Sequence, residues 1–237
     1  MKALIFAAGL GERMRPLTEH TPKPLLPAGG KPLIVWHLEK LAAIGVREVV
    51  VNTSWLAERF PIELGDGARY GLRIEYAYEG DTPLETGGGM LNALPLLGAA
   101  PFLLVNGDVW SDYDFAQLPP EPQGLAHLVM VDPPPQAPRG DFALAPDGRL
   151  RGDGAVKLTY SGIGVYRPQL LADWHEHADE DAGVAANGRP RFRLAPVLRA
   201  YMDAGQVTGE HHAGRWTDVG TPQRLAELDA QLRQGLR

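Results

Sequence analysis

The sequence predicts a doubly wound α/β sheet, mixed but mostly parallel, with helices on both faces. Two patterns predict it. Apolar runs of strand length alternate with segments whose apolar residues recur every three or four positions, the order of a parallel sheet wound by crossover helices. The first run, Ala3 to Ala8, leads straight into a loop with two glycines, and in such Rossmann-like sheets that loop lies at the carboxyl edge, where ligands bind. At 237 residues and 44% hydrophobic side chains, the chain is long enough to bury the sizeable core this fold needs.

Taken in order, Ala3 to Ala8 reads as a buried strand. Ile34, Leu38, Leu41 and Ile44 form one helical stripe, with Gly45 as its stop. Glu48 to Asn52 is the next strand. Ser54 is placed to cap a short helix that Pro61 breaks or kinks. Leu72, Ile74, Tyr76 and Tyr78 alternate as a half-buried strand does. Gly87-Gly88-Gly89 opens a helix over Met90 to Leu97, and Phe102 to Val105 and Leu125 to Val131 are strands. The second half is less regular. Asp132-Pro133-Pro134-Pro135 is an extended connection, Asp147-Gly148 a hairpin turn, and Leu158 to Tyr166 a strand. Asp173 to Arg191, rich in charge and glycine, reads as a surface excursion. Leu194 to Met202 is a helix with Pro196 in its first turn. Thr221 caps a last helix, Pro222 takes its first position, and Leu225, Leu228 and Leu232 face inward.

The loop after the first strand carries the strongest chemical signal. Gly9 and Gly11 are followed by Arg13, Arg15 and Lys23 within one short stretch. Glycines let backbone N–H groups approach an anion, and the three cations neutralise linked phosphates. A dinucleotide fingerprint would need a third glycine where Met14 stands, and a phosphate loop of the G-K-[ST] kind is absent. Pro16 also prevents a regular helix from running on. The loop therefore reads as a cover over a triphosphate.

The order Gly9-x-Gly11-x-Arg13-x-x-Pro16-x-Thr18, followed by Pro22-Lys23-Pro24, resembles the signature of sugar-1-phosphate nucleotidylyltransferases. The resemblance extends along essentially the whole chain, through Pro83 to Gly89, Leu104 to Trp110, Gly140-Asp141-Phe142 and Trp216 to Thr221. It implies the nucleotide-diphospho-sugar transferase fold as one domain over 1–237, without the C-terminal β-helix that some relatives carry. It also implies Mg2+ held by Asp108 and Asp218, with Arg13 on the departing pyrophosphate and Lys23 near the α-phosphate. Gly9, Gly11, Glu12, Arg13, Lys23, Glu85, Gly87 and Gly88 fall at its nucleotide-binding positions, and Asn106, Asp141 and Ser161 at its sugar-phosphate positions. The implied substrates are UTP and N-acetylmuramate 1-phosphate, in cell-wall recycling. Guanylyl transfer to mannose or heptose 1-phosphate is the alternative within the family. A non-catalytic nucleotide-binding subunit is the alternative outside it. The E-K-P motif that grips the sugar phosphate in many relatives is missing, which leaves Lys157, Arg15 and Arg139 as candidate cations.

The residues themselves carry part of this. Asp108 lies just past an apolar strand, where a carboxylate is a natural Mg2+ ligand or a turn residue satisfying backbone N–H groups. Asp218 precedes a helix cap. Glu12, between Gly11 and Arg13, reads as a loop contact. The net charge of −6 argues against non-specific nucleic-acid binding. The absence of cysteine excludes disulfides and thiolate chemistry and fits a reducing cytoplasm. The N-terminal apolar run is too short for a secretory signal, and no run approaches membrane-spanning length. A monomer is compatible with all of this. His175, His177, His211 and His212 read as exposed or packing residues, since adjacent histidines on a strand point apart.

Overall fold

Alternation along the first strand already separates two cores. The computed structural model describes residues 1–235. In β1 (Lys2–Phe6), Ala3 and Ile5 enter one apolar cluster and Leu4 another, as the two-residue period of a strand requires. The same division holds along β2 (Glu48–Thr53), β3 (Arg73–Tyr78) and β4 (Phe102–Asn106). After β5 (Val109–Ser111) come β6 (Ala126–Val131), β7 (Thr159–Tyr166), β8 (Val207–His211) and β9 (Trp216–Asp218). Among the described residues, seven of these form one sheet in the order β8-β6-β7-β4-β1-β2-β3. All its pairings are parallel except those of β7, which runs against both β4 and β6. The sheet is thus mixed and mostly parallel, as predicted.

Helix α1 (Leu33–Ala43) buries Ile34, Leu38 and Leu41 on one face, beside α2 (Arg59–Leu64) with its buried Phe60 and Leu64. On the opposite face α3 (Glu85–Leu97) buries Met90, Ala93 and Leu97. There it meets α5 (Leu194–Asp203), which follows the single turn α4 (Trp174–His177). Each fully buried Leu or Ile contributes about 1.5–3 kcal/mol, so the two faces dominate the stability.

Several boundaries differ from the sequence reading for local reasons. Pro61 does not break a helix; it occupies the first turn of α2, where its missing N–H costs no bond. Ser54 caps nothing, because its Oγ donates to the Gly80 carbonyl at 2.6 Å. The 173–191 segment is anchored. Trp174 stacks on Phe192 with ring centroids 4.1 Å apart, and a short ribbon pairs Gly183–Val184 with Pro190–Arg191. Strand β8 has no counterpart in the sequence reading.

α6 (Pro222–Arg233) decides the position of the glycine loop. Thr221 caps it, accepting from the Arg224 N–H at 3.3 Å, and Pro222 is its first residue. Leu225, Leu228 and Leu232 pack with Met14, Leu26, Ala28, Leu33, Trp110 and Val219 in a third cluster. Met14, which stands where a dinucleotide fingerprint would have glycine, is the anchor that ties the loop to this helix.

The three glycines at the start of α3 are there to admit other chain segments. Both Gly87 and Gly88 donate their N–H to the Phe192 carbonyl, at 2.9 and 3.1 Å. A Cβ on Gly87 would collide with the buried Phe192 ring, and one on Gly88 would lie 2.5 Å from the Pro190 carbonyl oxygen. Alanine normally gains about 1 kcal/mol over glycine inside a helix. Here Gly88→Ala is expected to lose about 1–3 kcal/mol instead, read as a lowered urea midpoint with an unchanged slope. A neutral or stabilising result would show that the ribbon can retreat.

Candidate active site

The carboxyl ends of β1 to β4 share one edge of the sheet, and a cavity of about 610 Å3 opens there. Its floor is the loop from Ala7 to Met14. Gly11 has φ +65, a conformation glycine adopts without strain, and its carbonyl accepts from the Thr18 hydroxyl at 2.7 Å. The Trp55 indole N–H donates to the Thr18 carbonyl at 3.0 Å and fixes the returning chain. Gly9, Gly11, Glu12 and Arg13 line the cavity from this loop, and Arg13 is exposed in its wall.

Lys23 and Asp108 line the cavity as a bonded pair, with Nζ 2.6 Å from Oδ2. The lysine is mostly buried, so this charge-assisted bond is partly shielded from water. Asp108 follows Gly107, whose N–H donates to the Phe6 carbonyl at 2.8 Å and draws the end of β4 against β1. The chain then enters β5, which pairs antiparallel with β9, placing Asp218 opposite Val109. Val219 N–H donates to the Asp108 carbonyl at 2.8 Å. Two aspartates more than a hundred positions apart in sequence are therefore neighbours on one ribbon.

This ribbon is held from α1. The buried His37 donates Nε2–H to the Val109 carbonyl at 2.9 Å and stacks on Phe115. Burial drives its pKa down to about 4, so it is a neutral donor. Lys40 donates to the Ser111 and Tyr113 carbonyls, at 2.5 and 3.0 Å. Neither residue was singled out from sequence.

Asp218 is not itself in the cavity wall; Gly220, two residues on, is. Its Oδ1 accepts from Gln136 Nε2 at 2.9 Å and from the Arg224 guanidinium. Asn106 lines the cavity at the end of β4 and packs on Gly162, where β7 is bulged. Ser161 lies in that bulge, buried, accepting from the Ile163 N–H at 3.2 Å. Asp141 accepts from the Tyr160 N–H at 2.9 Å. Both therefore support the strand beside Asn106, outside the cavity wall. Lys157 pairs with Asp153 at 3.0 Å, also outside it.

At the other end Thr82, Pro83, Glu85 and Thr86 complete the wall, whereas Gly87 and Gly88 lie behind it. Glu85 has φ +63, an uncommon conformation for a residue with a side chain. Its carboxylate pairs with Arg191 at 2.8 Å. Arg191 is a third cavity cation that sequence reasoning missed. The one signal was indirect: three consecutive glycines need a chain pressed against them.

Asn52 and Glu79 were also missed. Asn52 accepts from the Ala7 N–H at 2.6 Å and donates to Glu79 Oε1 at 2.6 Å. Glu79 Oε2 accepts from the Leu84 N–H at 2.7 Å. This chain of bonds ties the glycine loop to the start of α3. Burial pushes the Glu79 carboxyl up to about 6, against the pull of its two donors.

Residues 2–144 match the nucleotidyl transferase family model. The chain belongs to the nucleotidyl transferase family. Within that family it is 48% identical to a Neisseria meningitidis protein named N-acetylmuramate alpha-1-phosphate uridylyltransferase, over 97% of each chain. A Caulobacter vibrioides protein of the same name is 32% identical, over 97% of this chain and 96% of the relative. Among solved structures, a Bacillus anthracis protein described as a putative glucose-1-phosphate thymidylyltransferase superposes with TM-score 0.79 at 21% identity, over 98% of this chain and 95% of that one. At that identity the likeness is one of fold. Among the described residues, no helix of this nucleotidyl transferase is long and apolar enough to cross a membrane.

Proposed function

We propose that this nucleotidyl transferase joins UTP to N-acetylmuramate 1-phosphate, giving UDP-N-acetylmuramate and pyrophosphate, in the cytoplasm and with a monomer sufficient for the chemistry. The observation that carries the reading is the Lys23–Asp108 pair facing the glycine loop in one cavity. The identity of 48% to a relative of that name supports the choice of base and sugar.

A phosphate oxygen of the sugar 1-phosphate forms a bond to the α-phosphorus of UTP, and the bond from that phosphorus to the bridging oxygen breaks, releasing pyrophosphate. No protein nucleophile is needed, so catalysis rests on positioning and charge. In this reading the backbone of Gly9 to Gly11 holds the triphosphate. Arg13 neutralises the leaving pyrophosphate, Lys23 lies near the α-phosphate, and Asn106 orients the sugar phosphate. Asp108 and Asp218 fit a Mg2+ site. They are neighbours, and among the described residues each keeps one oxygen without a hydrogen bond, Oδ1 on Asp108 and Oδ2 on Asp218. Two carboxylates completed by substrate phosphates suit Mg2+. When bound, that ion supplies charge neutralisation between the two phosphates.

The test is a matrix of UTP, GTP, dTTP and ATP against N-acetylmuramate, mannose and N-acetylglucosamine 1-phosphates, scored by pyrophosphate release. The expected result is highest turnover for UTP with N-acetylmuramate 1-phosphate. Preference for GTP with mannose 1-phosphate would overturn the base and sugar. Nucleotide binding without release from any pair would overturn the enzyme.

A further inference from the structure

Asp218 lies just outside the cavity wall, beside Gly220, a wall residue that has no side chain. A Cβ on Gly220 would lie 2.9 Å from Asp218 Oδ2 and would collide with the Arg224 guanidinium. Gly220 lines the cavity, and Oδ2 is the Asp218 oxygen that packs beside it, while Oδ1 is taken by Gln136 and Arg224. Arg224 reaches Oδ1 from the third position of α6, a turn fixed by the Thr221 cap and by Pro222. Its guanidinium is largely buried and fits against the carboxylate with little freedom. Gln136 comes from the loop after β6 and bonds the same oxygen.

We propose that Arg224 and Gln136 are positioning residues that hold Asp218 by Oδ1 and leave Oδ2 directed over Gly220 toward a divalent cation. The proposal rests on reading Asp218 as a metal ligand. Two effects of Arg224 oppose one another. Its charge repels a second cation, and its hydrogen bond fixes the ligand. The ion pair with Asp218 offsets the Arg224 charge and so limits the repulsion, whereas an unheld carboxylate loses its orientation outright. Loss of the partner of a metal ligand commonly weakens binding by about 10–100-fold, so orientation prevails.

The probe is Mn2+ alone, titrated into nucleotide-free protein and followed by the EPR signal of the free ion. It is paired with the Mg2+ concentration that half-saturates pyrophosphate release. Arg224→Met is expected to weaken both by about tenfold, Gln136→Leu by about threefold, and Arg224→Lys to recover part of the loss. Turnover at saturating Mg2+ should largely return in each. A purely structural role would lower the melting temperature and the active fraction without moving the half-saturation point. If Arg224→Met does not fold, Gln136→Leu on its surface loop decides the question. Metal affinity within about twofold of wild type, or tighter, in both variants overturns the proposal, provided Asp218→Asn loses binding. If Asp218→Asn binds Mn2+ as wild type does, the metal-ligand reading itself fails and the positioning role fails with it.

Discussion

Asp108→Asn should reduce pyrophosphate release by at least about 100–1,000-fold, the range for removal of one group aimed at transition-state charge. Asparagine keeps the shape of the side chain and removes its charge. Lys23 Nζ, 2.6 Å away and mostly buried, would lose the partner that sets its position. The variant should still fold. β5 is held by the Val219 N–H to the Asp108 carbonyl, and by His37 on Val109, none of which involves the carboxylate. A loss of about 1–3 kcal/mol is expected for the orphaned lysine, with cooperative melting retained. The check is turnover at saturating substrates beside a melting curve. Activity within about tenfold of wild type in a folded variant would remove Asp108 from the transition state.

The variant also separates two ways in which the site was written in the sequence. The glycine loop was legible because its components are local: Gly9, Gly11, Arg13, Pro16 and Lys23 fall within 15 positions, and their chemistry names an anion. α6 was legible for the same reason, since a Thr cap, a Pro at the first position and leucines at helical spacing are short-range signals. The partners that hold this machinery were not. Asn52 and Glu79 meet across 27 positions, Arg191 and Glu85 across 106. Nothing in their neighbourhoods marks them, because a hydrogen bond between strand ends depends on sheet order, which local propensity does not encode. Gly87 to Gly89 showed the limit most clearly. They could be read as a helix opening, but the segments that forbid a side chain there, Phe192 and Pro190, are about a hundred positions away. β8 escaped because Val207-Thr208-Gly209-Glu210-His211 is polar at three of five positions; it is the last strand of the sheet, beside β6, and its outer edge meets the chain at Arg149 through an isolated bridge from Thr208.

The largest stability effect is expected at Asn52. Asn52→Ala leaves the Ala7 N–H and Glu79 Oε1 without their bonds at 2.6 Å, on residues that are almost wholly buried at the edge of the cavity. Two buried groups stripped of partners, one of them ionisable, should cost about 3–5 kcal/mol, and the glycine loop would lose its tie to the start of α3. The pH dependence gives an independent reading. Burial pushes the Glu79 carboxyl from 4.5 up to about 6. A pKa raised by folding means that the folded state holds the proton more tightly. The stability from this group is therefore fully present below about 4.5 and falls as pH rises through 6, by roughly 2 kcal/mol for a shift of that size. Glu79→Gln cannot titrate. Its stability relative to wild type should accordingly improve by roughly 2 kcal/mol between about pH 4.5 and about pH 7.5, whatever constant amount the amide loses against the Leu84 N–H. In the Asn52→Ala background the wild-type glutamate loses a donor that favoured its ionised form, so the same titration should move above 6. Urea unfolding across that range, with the Glu79→Gln change made in both backgrounds, measures both effects. A difference between wild type and Glu79→Gln that stays flat with pH would show that the carboxylate is already ionised at no cost, and that burial does not govern it.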